Sequence, residues 1–260
     1  MFGFFFLFSQ YLQFGRGYSA LLTGVATLPF ALTMIAIAPR SAALAARIGS
    51  GRTMALGFVF MAAGFGVLSV VGVSSPYVAL AVALGLLAVG MSITAAPATG
   101  SIMSAVPLAK AGVGSAVNDT TRELGGALGI AMLGSVVSAA YRSGIELDGV
   151  VLPAGAAEQA EESAGAAIGV AGQLVGDDSG VLATRAADAF TEAFNVTNLV
   201  SVALVLAAGA VVAITFGRGH EHDAAAAFGA AGPDGLPVAG EAVEPAESDD
   251  DGKRVSVAAH

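Results

Sequence analysis

The chain is predicted to be an all-α, polytopic integral membrane protein, and three observations carry that prediction. Between Arg52 and Lys110 it runs for 57 residues without Asp, Glu, Lys, Arg or His. Crossing the hydrocarbon core takes about 20 apolar residues, so this stretch holds two spans around the turn Ser74-Ser75-Pro76. Hydrophobic residues make up 55% of the chain and charged ones 12%, against roughly 25% charged in soluble domains. Residues 195–217 form a further stretch without any charge.

The elements follow in order. Residues 2–13 open with Phe2-Gly3-Phe4-Phe5-Phe6-Leu7-Phe8. This run is too short to cross a bilayer and is expected to be a partial span. Either the chain once began earlier, or this is a half-span resting against its neighbours. It lacks the basic start and small-residue cleavage site of a secretory signal. A turn containing Arg16 leads to the first full span, 19–39, where Pro29 removes a helical hydrogen bond and predicts a kink.

Arg40, Arg47 and Arg52 mark a polar connector over 40–52. Spans are expected at 53–73 and 76–99, the second with Pro97 near its far end. A connector with Pro107 and Lys110 precedes a long helix, 112–141, polar early and apolar late. Residues 142–193 carry nine acidic side chains against Arg142 and Arg185, and are expected to be an outer loop containing a solvated helix pair. The last span is 195–217. Basic residues in short loops face the cytoplasm. That rule puts the 40–52 connector, Lys110 and Arg218 on the inner side of a cell membrane, with 142–193 outside.

Residues 218–260 form an acidic cytoplasmic tail, expected to be disordered because it lacks the apolar residues to offset ordering entropy. Residues 219–260 hold nine of the chain's 20 acidic residues, so the net charge of −9 is largely theirs. The absence of Cys excludes disulfides and thiolate chemistry. His220, His222 and His260 all fall in the tail, which excludes His-based catalysis or metal binding in the spans. His220-Glu221-His222 is at most a weak metal pair, and neither a structural metal nor a nucleic-acid partner is expected.

The most informative short segment is Asn118-Asp119-Thr120-Thr121-Arg122-Glu123. On one helix Asn118 and Arg122 share a face with Ser115, Gly125 and Gly129, while Asp119 and Glu123 occupy the adjoining face. Ionisable groups inside a span are costly and point to a cavity or a partner. The competing reading makes Thr120-x-x-Glu123 a capping box at an interfacial helix start, with Arg122 reaching for headgroups. Gln10 and Gln13, beside Tyr11, either line a substrate path or mark the interface.

Gly125-xxx-Gly129 and Ala62-xxx-Gly66 read as small-residue pairs that let helices approach closely. Met34, Met61, Met91 and Met103 read as adaptable filler. No nucleophile elbow, phosphate loop or paired carboxylates within a span appear, which disfavours an enzyme.

Three segments resemble the major facilitator superfamily, and within it the fourteen-helix drug–proton antiporters. Tyr11-Leu12-Gln13, with Ser19-Ala20-Leu21-Leu22-Thr23-Gly24 and Leu28-Pro29, looks like the family's seventh-to-eighth core helix region. Residues 38–52, with Arg40, Arg47, Gly49 and Arg52, look like a degenerate copy of the family's cytoplasmic loop signature. Ala46 stands where an acidic residue is usual, and Ser50-Gly51 replace a basic pair. Residues 114–129, from Gly114-Ser115-Ala116-Val117-Asn118 to Gly129, are similar to the penultimate helix.

The resemblance implies the six-helix C-terminal domain of this fold, with its first helix cut short and the N-terminal domain missing. It implies proton-coupled efflux of small amphipathic molecules by an intact parent, with a proton gradient as the energy source and no cofactor. The expected partners are the lipid bilayer, an amphipathic substrate and a separate N-terminal half. The competing expectations are a non-transporting membrane scaffold or half-subunit, and a permease for an endogenous metabolite.

Overall fold

The computed structural model describes residues 1–107 and 110–216, and the described residues are helical and strand-free. The acidic segment 218–260, with its three histidines, lies outside the described residues. The helices are α1 (Phe2–Gln10), α2 (Ala20–Ala26), α3 (Leu28–Ile48), α4 (Ser50–Leu68), α5 (Tyr77–Ser104), α6 (Ala111–Gly144), α7 (Ala156–Glu162), α8 (Ala164–Ala171) and α9 (Asp177–Phe216). A single π-helical turn, Tyr11–Gly15, continues α1. Five stretches are long and apolar enough to cross a membrane: Ala20–Ile48, Ser50–Leu68, Tyr77–Ser104, Ala111–Gly144 and Asp177–Phe216.

Helix boundaries differ from the expected spans in three places, each for a physical reason. The kink expected at Pro29 is a break at Thr27, and Pro29 sits in the first turn of α3. A proline there loses nothing, because first-turn N–H groups have no helical acceptor. Ser19 starts α2 by accepting from the Leu22 amide at 3.2 Å.

The 40–52 connector is not a loop. Helix α3 runs through Pro39 to Ile48, and only Gly49, with φ of 88°, separates it from α4. Ala and Leu fill 42–46 and favour helix, and a glycine is the residue that can take so positive a φ at the junction.

The 142–193 segment is also more ordered than a loop. It contains α7, α8 and the first part of α9, with the α9 residues Asp177, Asp178, Asp188 and Glu192 among its acids. At 1.5 Å per residue the 40 residues of α9 extend roughly 60 Å, twice the hydrocarbon core. Half of α9 therefore stands outside the membrane and packs with α7 and α8 as a cap. The cap has its own small core of Ala156, Ala160, Ala167, Val170, Ala171, Leu182 and Ala186.

The partial first span lies at the centre of the bundle. Phe4, Leu7, Phe8, Tyr11 and Leu12 are all buried, against Phe30, Phe65, Leu133 and Phe194 from four other helices. Helices α4 and α5 pack closest. A Cβ on Gly57 would lie 2.7 Å from the Gly90 carbonyl oxygen and one on Gly90 2.5 Å from that of Gly57. Glycine at both positions lets the backbones touch, which dispersion rewards in lipid.

The glycine pairs expected to do this elsewhere do not. Nothing lies within 4 Å of a Cβ built on Gly125, Gly129 or Gly66. The contact of α6 with α1 instead depends on Gly3, whose Cβ would come 2.8 Å from the Gly129 carbonyl oxygen. A small-xxx-small spacing marks one helix face. Only the partner's surface decides whether that face is used.

Candidate functional site: a cleft between α5 and α6

Helix α5 continues seven residues past Pro97, to Ser104. Proline costs one backbone hydrogen bond, and hydroxyls cluster around it. The Thr94 Oγ1 donates to the Gly90 carbonyl at 2.8 Å and the Ser101 Oγ to the Pro97 carbonyl at 2.8 Å. Thr99 lies between them, half-buried, with its hydroxyl available to a neighbour.

That neighbour is Arg122 of α6, whose Nη2 donates to the Thr99 Oγ1 at 3.1 Å. The two residues line a cleft of about 690 Å³ together with Ala95, Ala96, Gly100, Met103 and Ser104. One cation and two hydroxyls on an otherwise apolar wall suit an amphipathic guest better than a strongly polar one. Helix α6 spans about 51 Å at 1.5 Å per residue, so its polar first third reaches past the hydrocarbon core. The cleft therefore sits towards the end of the bundle opposite the cap, the end that also carries the α3–α4 junction.

The other residues of the polar cluster are placed apart from the cleft. Asn118 is half-buried and its Nδ2 donates to the Asp119 Oδ1 at 3.3 Å, while Asp119 and Glu123 are exposed. The capping-box reading is overturned. Helix α6 already begins at Ala111, so Thr120 and Glu123 lie inside it and cap nothing.

Gln10 and Gln13 are half-buried, away from the cleft lining, and the Gln13 Nε2 donates to the Ser9 Oγ at 3.0 Å. Arg40, Arg47 and Arg52 are exposed around the α3–α4 junction, with Arg40 bonded to the Ala36 carbonyl of its own helix. Arg47 stands in the last turn of α3, where the helix dipole favours a cation. Pro97 is buried near the cleft without lining it.

Two contributors were missed in the sequence. Thr99 gave no signal beyond following Pro97, because its partner lies 23 residues away on another helix. Met103, read as filler, lines the cleft instead.

From Ser115 to Met132, α6 is mostly exposed, with Leu124, Leu128 and Met132 each at least half open. This flank borders the cleft and carries both the polar cluster and a run of large apolar side chains. Among the described residues α1 packs against its Gly126 and Gly129, while the large apolar side chains stay open.

Comparison with known proteins agrees with this architecture. The model of the Major Facilitator Superfamily matches residues 1–130. The chain is 33% identical over 220 residues to the multidrug efflux pump LfrA of Mycolicibacterium smegmatis, which covers 83% of this chain and 43% of that protein. It is 33% identical over 139 residues to the multidrug resistance protein Stp of Mycobacterium tuberculosis, covering 54% of this chain and 26% of that one. Against the puromycin resistance protein pur8 of Streptomyces alboniger it is 35% identical over 147 residues, 54% of this chain and 29% of the relative. The chain thus spans less than half the length of each. With the family model matched from the first helix through the polar cluster of α6, and spans arranged as a multi-pass bundle, the chain belongs to the major facilitator superfamily.

Proposed function

We propose that this chain forms the carboxy-terminal bundle of an efflux transporter that exports small amphipathic compounds in exchange for protons. The observation that carries the reading is the Arg122–Thr99 contact on the wall of a mostly apolar cleft. Transporters of this class rock one bundle against another around a central site. The exposed flank of α6 is where a second bundle would close the cleft.

The names of the relatives, a multidrug efflux pump and a multidrug resistance protein, support export of foreign compounds over uptake. The proton gradient is the proposed energy source, with no cofactor. The proposed location is the cell membrane, with the α3–α4 junction and the acidic tail on the cytoplasmic side, following the basic residues Arg40, Arg47, Arg52 and Lys110.

A second reading is favoured by the same exposed flank: the chain is a half-subunit, silent in transport until another bundle covers α6.

The test is ethidium export from an efflux-deficient strain producing this chain with and without a family amino-terminal bundle. Export is expected only with both. Arg122→Ala should lower it about tenfold, the effect of losing one charge-assisted hydrogen bond at a site, with membrane insertion unchanged. Collapse of the gradient by a protonophore should stop export. Export that survives Arg122→Ala removes the cleft from the mechanism, and export that survives the protonophore removes proton coupling.

A further inference from the structure

The turn that joins α1 to α2 holds a cation, Arg16, that bonds the Tyr11 side chain yet leaves one buried donor without a partner among the described residues. Arg16 caps the π-helical turn through its amide, which donates to the Tyr11 carbonyl at 3.1 Å. Its guanidinium lies 5.6 Å from the centre of the Tyr18 ring, and its Nη1 is buried without a hydrogen-bond partner. Among the described residues no carboxylate pairs with it. A buried donor on a charged group left unpaired is costly, more so than a neutral one.

The surroundings identify the depth of this site. Tyr18 precedes α2, the Tyr11 hydroxyl donates to the Gly72 carbonyl in the α4–α5 turn, and the Tyr77 hydroxyl at the start of α5 donates to the Ala26 carbonyl. Three tyrosines gathered where spans begin and end mark the membrane–water boundary. On the adjoining α2, Leu21, Leu22 and Val25 face outward, the first 81% exposed. The buried side of the same helix holds Thr23, 6% exposed, whose hydroxyl also lacks a partner.

We infer that Arg16 anchors the phosphate of a membrane phospholipid, whose acyl chains lie along Leu21, Leu22 and Val25. A guanidinium beside an aromatic face presents paired donors that match phosphate oxygens. An anion on a lipid is already concentrated at this depth, and apolar chains cover the leucines that water would otherwise meet. The site lies at the capped end of the bundle, away from the Arg122 cleft, and does not depend on what the transporter carries.

The test is native mass spectrometry of the purified chain in detergent with phosphatidylglycerol, with diacylglycerol, or with inorganic phosphate. The unaltered chain should retain phosphatidylglycerol, and Arg16→Gln should bind it about tenfold more weakly, as expected for one lost charge-assisted contact. A second measurement needs no variant: the unfolding temperature of the unaltered chain should rise with phosphatidylglycerol and stay put with the other two. Equal retention by Arg16→Gln overturns the assignment. So does equal stabilisation by diacylglycerol, which lacks the phosphate. Stabilisation by inorganic phosphate alone overturns the lipid as its source.

Discussion

The ring of Tyr11 lies 4.6 Å from that of Phe194, and the two planes are 7° apart. This stack joins the partial first span to the last helix. Phe8 touches the same Phe194 at 6.4 Å between centroids, and Phe4 meets Phe65 edge-on at 5.5 Å. A segment too short to cross a bilayer is thereby held in the middle of the bundle by aromatic faces on two other helices.

Phe194→Ala is expected to destabilise the bundle by roughly 3–5 kcal/mol, the usual cost of deleting a buried aromatic side chain. Tyr11→Phe keeps the stack and loses the hydroxyl's bond to Gly72 and its contact with Arg16, at about 1 kcal/mol. Thermal unfolding in detergent should rank the two in that order. A Tyr11→Phe loss as large as that of Phe194→Ala would mean that the hydroxyl, and not the stack, holds α1.

The α4–α5 contact predicts opposite outcomes for two glycines on one helix. Gly57→Ala drives a methyl into the Gly90 backbone and should cost about 1–3 kcal/mol. Gly66→Ala meets open space and should be neutral or stabilise by roughly 0.5–1 kcal/mol through helix propensity. The same unfolding assay distinguishes them.

In the cleft, Thr99→Val removes the acceptor of Arg122 while preserving shape. Export by the two-bundle assembly should fall about fivefold, and Thr99→Ser should restore it, since the hydroxyl is what Arg122 contacts. Failure of serine to restore export would assign Thr99 to packing.

The cap is fastened by few groups. The Arg185 Nη1 donates to the Glu146 carbonyl at 3.0 Å and the Asp148 carbonyl at 2.7 Å, and the buried Tyr141 hydroxyl donates to the Ala160 carbonyl at 3.0 Å. Arg185→Ala should leave the spans intact and speed amide exchange selectively over 146–150. Tyr141→Phe should loosen α7 by about 1–3 kcal/mol, the cost of an unsatisfied buried carbonyl. Uniform faster exchange along α9 in either variant would show that the cap and the spans unfold as one unit.

The chain has no cysteine, so single cysteines report topology without background. Ser74→Cys and Glu161→Cys should label from outside the cell, and Arg47→Cys only after permeabilisation. Labelling of Ser74→Cys and Arg47→Cys from the same side overturns the proposed orientation.

The all-helical, multi-pass character was legible from residues 53–109 alone, because hydrocarbon length and the cost of buried charge are local properties. The family was legible too, through the residues around Leu28-Pro29 and through 114–129. What stayed hidden depends on which surfaces meet. Gly125 and Gly129 have the right spacing yet a Cβ on either would meet open space, whereas Gly57 and Gly90, which no motif singled out, bring α4 and α5 into backbone contact. Arg122 stood out as a charge in an apolar context, but its acceptor Thr99 could be found only once α5 and α6 lay side by side. The membrane decides that each span is a helix. Side-chain complementarity between helices distant in the chain decides which faces are buried, and that information is absent from any one segment.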